Sequence, residues 1–97
     1  MRHEIIIAPE AVQDLKRLRA NVRTTVKDAM EVNLRHEPRR VSRSRIKRLK
    51  GLDQPQFRLR VDDVRVFYDV VEGRVEVLAI VSKADAARWL AKVGKKS

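Results

Sequence analysis

Cysteine is absent from the 97 residues. That removes disulfide cross-links and thiolate zinc sites from consideration. No apolar run approaches the roughly 20 residues of a membrane-spanning helix, and Arg2, His3 and Glu4 interrupt a secretory leader pattern at once. The expectation is a cytoplasmic chain without membrane contact. No glycine-rich phosphate loop occurs, no His, Asp and Glu recur at metal-ligand spacing, and no Ser/His/Asp set can be placed. Neither a metal nor a small-molecule cofactor is expected. Internal repeats and dividing linkers are also missing, so residues 1–97 read as one small domain with a modest core.

Acid is scarce as well. Lys and Arg number 23 against 13 Asp and Glu, leaving a net charge of +10. Residues 38–60 carry nine cations, at positions 39, 40, 43, 45, 47, 48, 50, 58 and 60, against the single acid Asp53. Solvated surface charge explains scattered lysines well and this concentration poorly. The patch points to nucleic acid, an anionic surface or an acidic partner.

What the chain does have is a meander from Leu49 to Ser82. Residues 56–61 alternate, with Phe57, Leu59 and Val61 apolar and Arg58 and Arg60 between them, which marks a strand with one buried face. Asp62-Asp63 and Glu72-Gly73 are two-residue turn signals. Such turns set the register. Val61 then faces Val64, Arg60 faces Arg65, Arg58 faces Phe67, Val70 faces Val75, Tyr68 faces Val77 and Val66 faces Ala79. One face would carry Phe57, Leu59, Val61, Val64, Val66, Val70, Val75, Val77, Ala79 and Val81 as the core, with Tyr68 pointing the same way. The other would carry Arg58, Arg60 and Arg65 side by side, next to Phe67, Leu78 and Ile80. Like charges placed opposite one another destabilise a sheet, so three adjacent arginines imply a waiting anion, with an acidic protein as the alternative to phosphate.

Before the meander, residues 2–7 form a β-branched strand. Pro9 opens a helix over about 9–19, and Asn21 is a suitable N-cap for a second, which stops before Pro38. Its inner stripe is Val22, Val26, Ala29, Met30 and Asn33 or Leu34. The two helices read as an antiparallel pair over the core face. Residues 38–50 read as a basic loop laid along the sheet, anchored by Val41, Ile46 and Leu49. Ser82 caps a last helix, with Asp85 in the place of a capping-box acid, Ala86, Trp89, Leu90 and Val93 on its packed side and Gly94 at its end. Lys95–Ser97 form a tail. The predicted fold is therefore α/β in the α+β sense: an antiparallel sheet, a helical hairpin on one face and a short C-terminal helix.

The guanidinium row is the chemical lead. Arginine binds phosphate in a fixed, often bidentate geometry and stays charged at every working pH. Held on a rigid sheet, such groups stabilise the added charge of a pentacovalent phosphate, and RNA brings its own 2′-OH nucleophile. Arg45, Lys47, Arg48 and Lys50 are candidates for contact with the phosphate chain, and Lys83 stands beside the row. Tyr68 reads as core, Asp85 as a cap, and His3 and His36 have ordinary explanations, His36 lying in the last turn of the second helix.

The order of strand, helical hairpin, basic loop with Leu-Lys-Gly-Leu (49–52), Arg-Leu-Arg (58–60) and Arg-Val-Phe-Tyr (65–68) resembles the RelE/ParE superfamily of toxin-antitoxin toxins over nearly the whole chain. The RelE branch implies an mRNA endonuclease that works on the ribosome, uses the 2′-OH as nucleophile and leaves a 2′,3′-cyclic phosphate or 3′-phosphate. By that resemblance Arg65 is the main phosphate-binding arginine and Arg58 one of two basic residues on the first meander strand. Gln56 stands where the other is lysine. Lys83 and Trp89 keep the spacing of a basic residue and a tyrosine. The resemblance thus implies Arg65, Arg58 and Lys83 as catalytic, and Arg60, Arg45, Lys47, Arg48, Lys50 and Trp89 as substrate-binding. The ParE branch implies gyrase inhibition on the same fold, and a non-catalytic RNA-binding module is a further alternative. Both branches imply a small antitoxin, usually acidic where it binds, as partner. The RelE branch adds the ribosome and mRNA.

Overall fold

The computed structural model describes residues 2–97. In chain order the elements are β1 (Glu4–Ile7), α1 (Pro9–Arg17), α2 (Ala20–Leu34), β2 (Ile46–Arg48), β3 (Leu52–Gln54), β4 (Phe57–Val61), β5 (Val64–Val71), β6 (Arg74–Ser82), α3 (Lys83–Val93) and β7 (Lys95–Lys96). Five strands form one sheet in the order β1-β6-β5-β4-β2, and β3 pairs with β7 separately. The meander is antiparallel throughout, while β1 joins β6 in parallel.

The turns behave as their residues require. Asp62 takes φ of 51° and Gly73 φ of 76°, the left-handed region that Gly and Asp tolerate best. The β4–β5 register is the predicted one, from Phe57 opposite Tyr68 to Val61 opposite Val64. Between β5 and β6 it holds only as far as Tyr68 opposite Val77. A bulge then places Phe67 opposite Ala79 and Val66 opposite Ile80, with Leu78 as the extra residue. The expected core assignment is corrected accordingly. Ile80 joins Val66 in the core cluster, whereas Ala79 and Val81 face the arginine side opposite Phe67 and Arg65.

Helices α1 and α2 cover the core face through Ala11, Leu15, Val26, Met30 and Leu34. The turn between them is closed by Arg23, whose guanidinium donates to the carbonyls of Leu15, Lys16 and Leu18 at 2.9–3.1 Å and so satisfies the free end of α1. Asn21 is not the cap: α2 opens on Ala20, with Arg19 at the cap position and no side-chain bond. His36 lies two residues beyond the end of α2. Asp14 on α1 accepts from the Ile80 backbone N–H at 3.0 Å. It thereby pairs the edge of β6 beyond the last β1 residue, where no strand remains to do so. Asp14→Ala is expected to cost about 1–3 kcal/mol by orphaning that donor, read as a lower urea midpoint at constant m-value.

Two expectations for the basic segment change. Residues 46–48 are a strand, because Ile46 is buried opposite Leu59 and brings its neighbours into the ladder. Val41 anchors nothing, being 59% exposed. The C-terminal tail is not free either: Lys95 and Lys96 pair with Gln54 and Leu52, and the Ser97 N–H donates to Gly51. Ser82 caps α3 as expected, accepting from the Asp85 N–H at 3.2 Å. Gly94 ends α3 so tightly that an added Cβ would lie 2.5 Å from the Leu90 carbonyl oxygen.

Candidate functional site

The face of the sheet turned away from α1 and α2 is built in rungs, because paired residues share a face. One rung runs across four strands as Lys47, Arg58, Phe67 and Ala79. The next runs Arg60, Arg65 and Val81, and Arg45 flanks it by accepting from the Arg60 N–H at 2.8 Å. Four cations thus occupy two adjacent rungs that contain no acid.

Their environments differ. Arg58 is half-buried, and its Nε is buried without a hydrogen-bond partner. Burial, then repulsion from Arg65 and Arg60, holds its guanidinium below the ordinary arginine range. An anion would relieve both effects. Arg60 and Lys47 are exposed beside it. Arg65 departs from expectation. It is only 6% exposed and folds back over the β4–β5 turn, donating through Nη1 to the Asp62 carbonyl at 2.8 Å and the Val64 carbonyl at 3.1 Å. The reason is local: the turn aims two carbonyls at the first long donor on the strand.

Helix α3 lies on this same face. The Lys83 N–H donates to the Asp63 carbonyl at 2.7 Å, so the exposed Lys83 side chain starts from the turn that Arg65 braces. Trp89 stacks on Phe67 with ring centroids 4.9 Å apart and planes 12° apart. That ring face is taken up in packing, and Trp89 as a whole is half-buried. Phe67 is fully buried beneath it.

The remaining candidates separate. Arg48 lies opposite Phe57, its guanidinium 5.1 Å from the ring centroid, and so is on the core side of β2 rather than with the arginines. Lys50 sits in the turn between β2 and β3. Lys47 is brought directly beside Arg58, a neighbour relation visible in sequence only once Ile46 is recognised as an inward strand residue. Gln56 is a brace: its Oε1 accepts from the Val70 N–H at 3.0 Å, while its own N–H donates to Asp69 at 2.8 Å. Gln54 donates to the other oxygen of this buried carboxylate at 2.8 Å. Tyr68 is fully buried and donates to the Pro38 carbonyl at 2.7 Å. His3 and His36 line a separate pocket near the end of α2. No grouping of His, Asp and Glu suited to a metal ion occurs among the described residues, and no helix among them is long and apolar enough to cross a membrane.

The model of the ParE toxin of type II toxin-antitoxin system, parDE, matches residues 5–87. Among solved structures, the chain is similar to an archaeal RelE-RelB complex from Pyrococcus horikoshii, with TM-score 0.70 and 21% identity over 86% of this chain and 97% of that one. A doubly substituted mutant of the Escherichia coli toxin RelE in the free state gives TM-score 0.70 and 21% identity over 94% and 93% of the two chains. The toxin-antitoxin complex RelBE2 from Mycobacterium tuberculosis gives 0.66 and 21% over 84% and 99%. These likenesses establish the shared fold. No curated protein sequence matches.

Proposed function

The chain belongs to the ParE toxin family of type II toxin-antitoxin systems, and from that premise we propose that it is a ribosome-dependent mRNA endonuclease, held inactive by a cognate antitoxin in the cytoplasm. The observation that carries the reading is the pair of acid-free cationic rungs, with the half-buried, partnerless Arg58 between exposed Lys47 and Arg60. Here Arg58 holds the scissile phosphate, and Lys47 and Arg60 hold the flanking ones. Arg65 fixes the turn and adds to the positive field, and Lys83 approaches from the start of α3. The substrate 2′-oxygen attacks phosphorus, the bond to the 5′-oxygen breaks, and a 2′,3′-cyclic phosphate forms. The 2′ proton is lost to solvent and the 5′-oxygen gains one. The four cations stabilise the added charge on the phosphoryl oxygens.

A second reading, inhibition of gyrase, is favoured by the absence of a His, Asp, Glu or Tyr side chain on the rungs and by the packing of one Trp89 face against Phe67. One paired experiment separates the two. Primer extension on translated mRNA after induction shows cuts within codons for the endonuclease, and a gyrase supercoiling assay with purified toxin shows inhibition for the other.

Binding to RNA is expected to weaken with salt by about 0.7 log unit per log unit for each single-strand phosphate contact. Three contacts, from Lys47, Arg58 and Arg60, give a slope of about 2. Fluorescence anisotropy with a cleavage-resistant 2′-O-methyl RNA measures it. Arg74→Ala, at the far turn and paired with Glu76, leaves the slope unchanged. A slope near zero in the parent removes nucleic acid as the ligand of this face.

A further inference from the structure

Phe67 contrasts with the face it stands on. The rungs turned away from α1 and α2 are cationic at Lys47, Arg58, Arg60 and Arg65, yet the position directly opposite Arg58 is a fully buried aromatic ring. Its cover is Trp89, whose centroid lies 4.9 Å from that of Phe67 with the planes 12° apart. Near-parallel stacking of this kind is also how a nucleobase lies on an aromatic side chain.

Helix α3, which carries Trp89, is lightly held. None of its residues is buried. Among the described residues its side-chain hydrogen bonds stay local: the Asp85 N–H donates to the capping Ser82 hydroxyl, and Arg88 donates to Asp85. Its backbone ties to the rest of the chain lie at its two ends. The Lys83 N–H holds the Asp63 carbonyl at 2.7 Å at the start. Beyond the end, exposed Lys95 and Lys96 pair with Gln54 and Leu52, and the Ser97 N–H donates to Gly51 at 3.2 Å. Release of this short pairing leaves Lys83 as a pivot.

Trp89 satisfies Phe67 and does nothing for Arg58. An indole offers one N–H donor and no acceptor, so the buried Arg58 Nε stays without a partner and the repulsion from Arg65 and Arg60 persists. A nucleotide answers both needs, with a base for the ring and a phosphate for the guanidinium beside it.

We propose that Phe67 is a nucleobase subsite of the cationic face, and that Trp89 holds its place in the free protein until a base displaces it and α3 swings aside. The inference rests on the nucleic-acid reading above. It adds an opening step to RNA binding, so the apparent affinity is lowered by the fraction of molecules that are open.

Trp89 is the only tryptophan of the chain, so its fluorescence reports its own position. The test titrates the full chain with the 2′-O-methyl RNA, reading binding by anisotropy and the state of α3 by Trp89 emission and acrylamide quenching. Emission is expected to shift to the red and quenching to rise, with the same midpoint as the anisotropy. Trp89→Ala removes the placeholder and is expected to bind this RNA more tightly than the parent. Phe67→Leu keeps an apolar side chain beneath α3 and is expected to bind roughly fivefold or more weakly through the lost base stack, with circular dichroism as the fold control. The parent's own spectrum decides the matter if either variant fails to fold. RNA bound with emission and quenching unchanged means that the indole stays on Phe67 and overturns the proposal. Emission quenched by RNA without greater access for acrylamide puts the base on Trp89 instead and overturns it as well. No change in anisotropy with the parent sinks the nucleic-acid reading beneath it.

Discussion

Arg58→Ala is expected to lower single-turnover cleavage of mRNA on programmed ribosomes by roughly 10²-fold or more, the scale of losing one preorganised donor to a developing oxyanion. Its thermal stability should be unchanged or slightly raised. The two outcomes have one cause. In the free protein the Arg58 guanidinium is partly desolvated, leaves its Nε without a partner and is repelled by Arg65 and Arg60. Removing it relieves a strain that only a bound phosphate turns into a gain, so function and stability move in opposite directions. Arg58→Lys keeps the charge and loses the planar fork, and should fall between. Arg65→Ala should behave differently, losing both cleavage and stability, because Arg65 braces the Asp62 and Val64 carbonyls. An Arg58→Ala protein that cleaves like its parent would exclude this face as the active site. A parent that never cleaves would transfer the reading to gyrase.

Tyr68→Ala is expected to destabilise the fold by about 3–5 kcal/mol, the cost of emptying a fully buried aromatic site. Tyr68 is stacked on Phe57 at 5.5 Å between centroids and pins the Pro38 carbonyl. Tyr68→Phe keeps the ring, loses only the hydrogen bond and should cost about 1 kcal/mol. The phenol also sets a pH response. Burial raises it above its ordinary value of 10.0, so the unfolded chain releases this proton at lower pH than the folded one. The contribution is complete below the unfolded value and is lost as pH rises from there through the folded value. Urea melts between about pH 8 and 11 should show the parent falling more steeply than Tyr68→Phe. Parallel curves would mean that the hydroxyl is not held buried and neutral in the fold.

The meander, the helical hairpin and the family are legible in the sequence because they rest on local patterns: alternation about Arg58 and Arg60, two turn dipeptides and a helical stripe from Val22 to Leu34. So is the clustering of Arg58, Arg60 and Arg65, since a two-residue turn fixes which residues meet. What stays hidden is where a long side chain goes once there. Arg65 shares a face with Arg60, yet its guanidinium is drawn to carbonyls exposed by the positive φ of Asp62. Lys47 and Arg48 are equally basic neighbours, and only the pairing of Ile46 with Leu59 sends one toward Arg58 and the other over Phe57. Trp89 reads as packing or platform alike until α3 is known to lie on Phe67. The β3–β7 pair depends on a contact between Leu52 and Lys96 that no short-range signal announces.

The extra residue in β6 adds length without adding a partner. Leu78 is only half-buried and opposes nothing, so substitutions there should be absorbed easily. Its removal would leave a regular ladder and exchange no faces. Ala79 would follow Val77 directly and stay opposite Phe67, with Ile80 still opposite Val66 and Val81 opposite Arg65. For an evolving lineage the least constrained letter of the strand is thus also the one it can drop, and variation among relatives along β6 is expected to include both substitution and loss at this position.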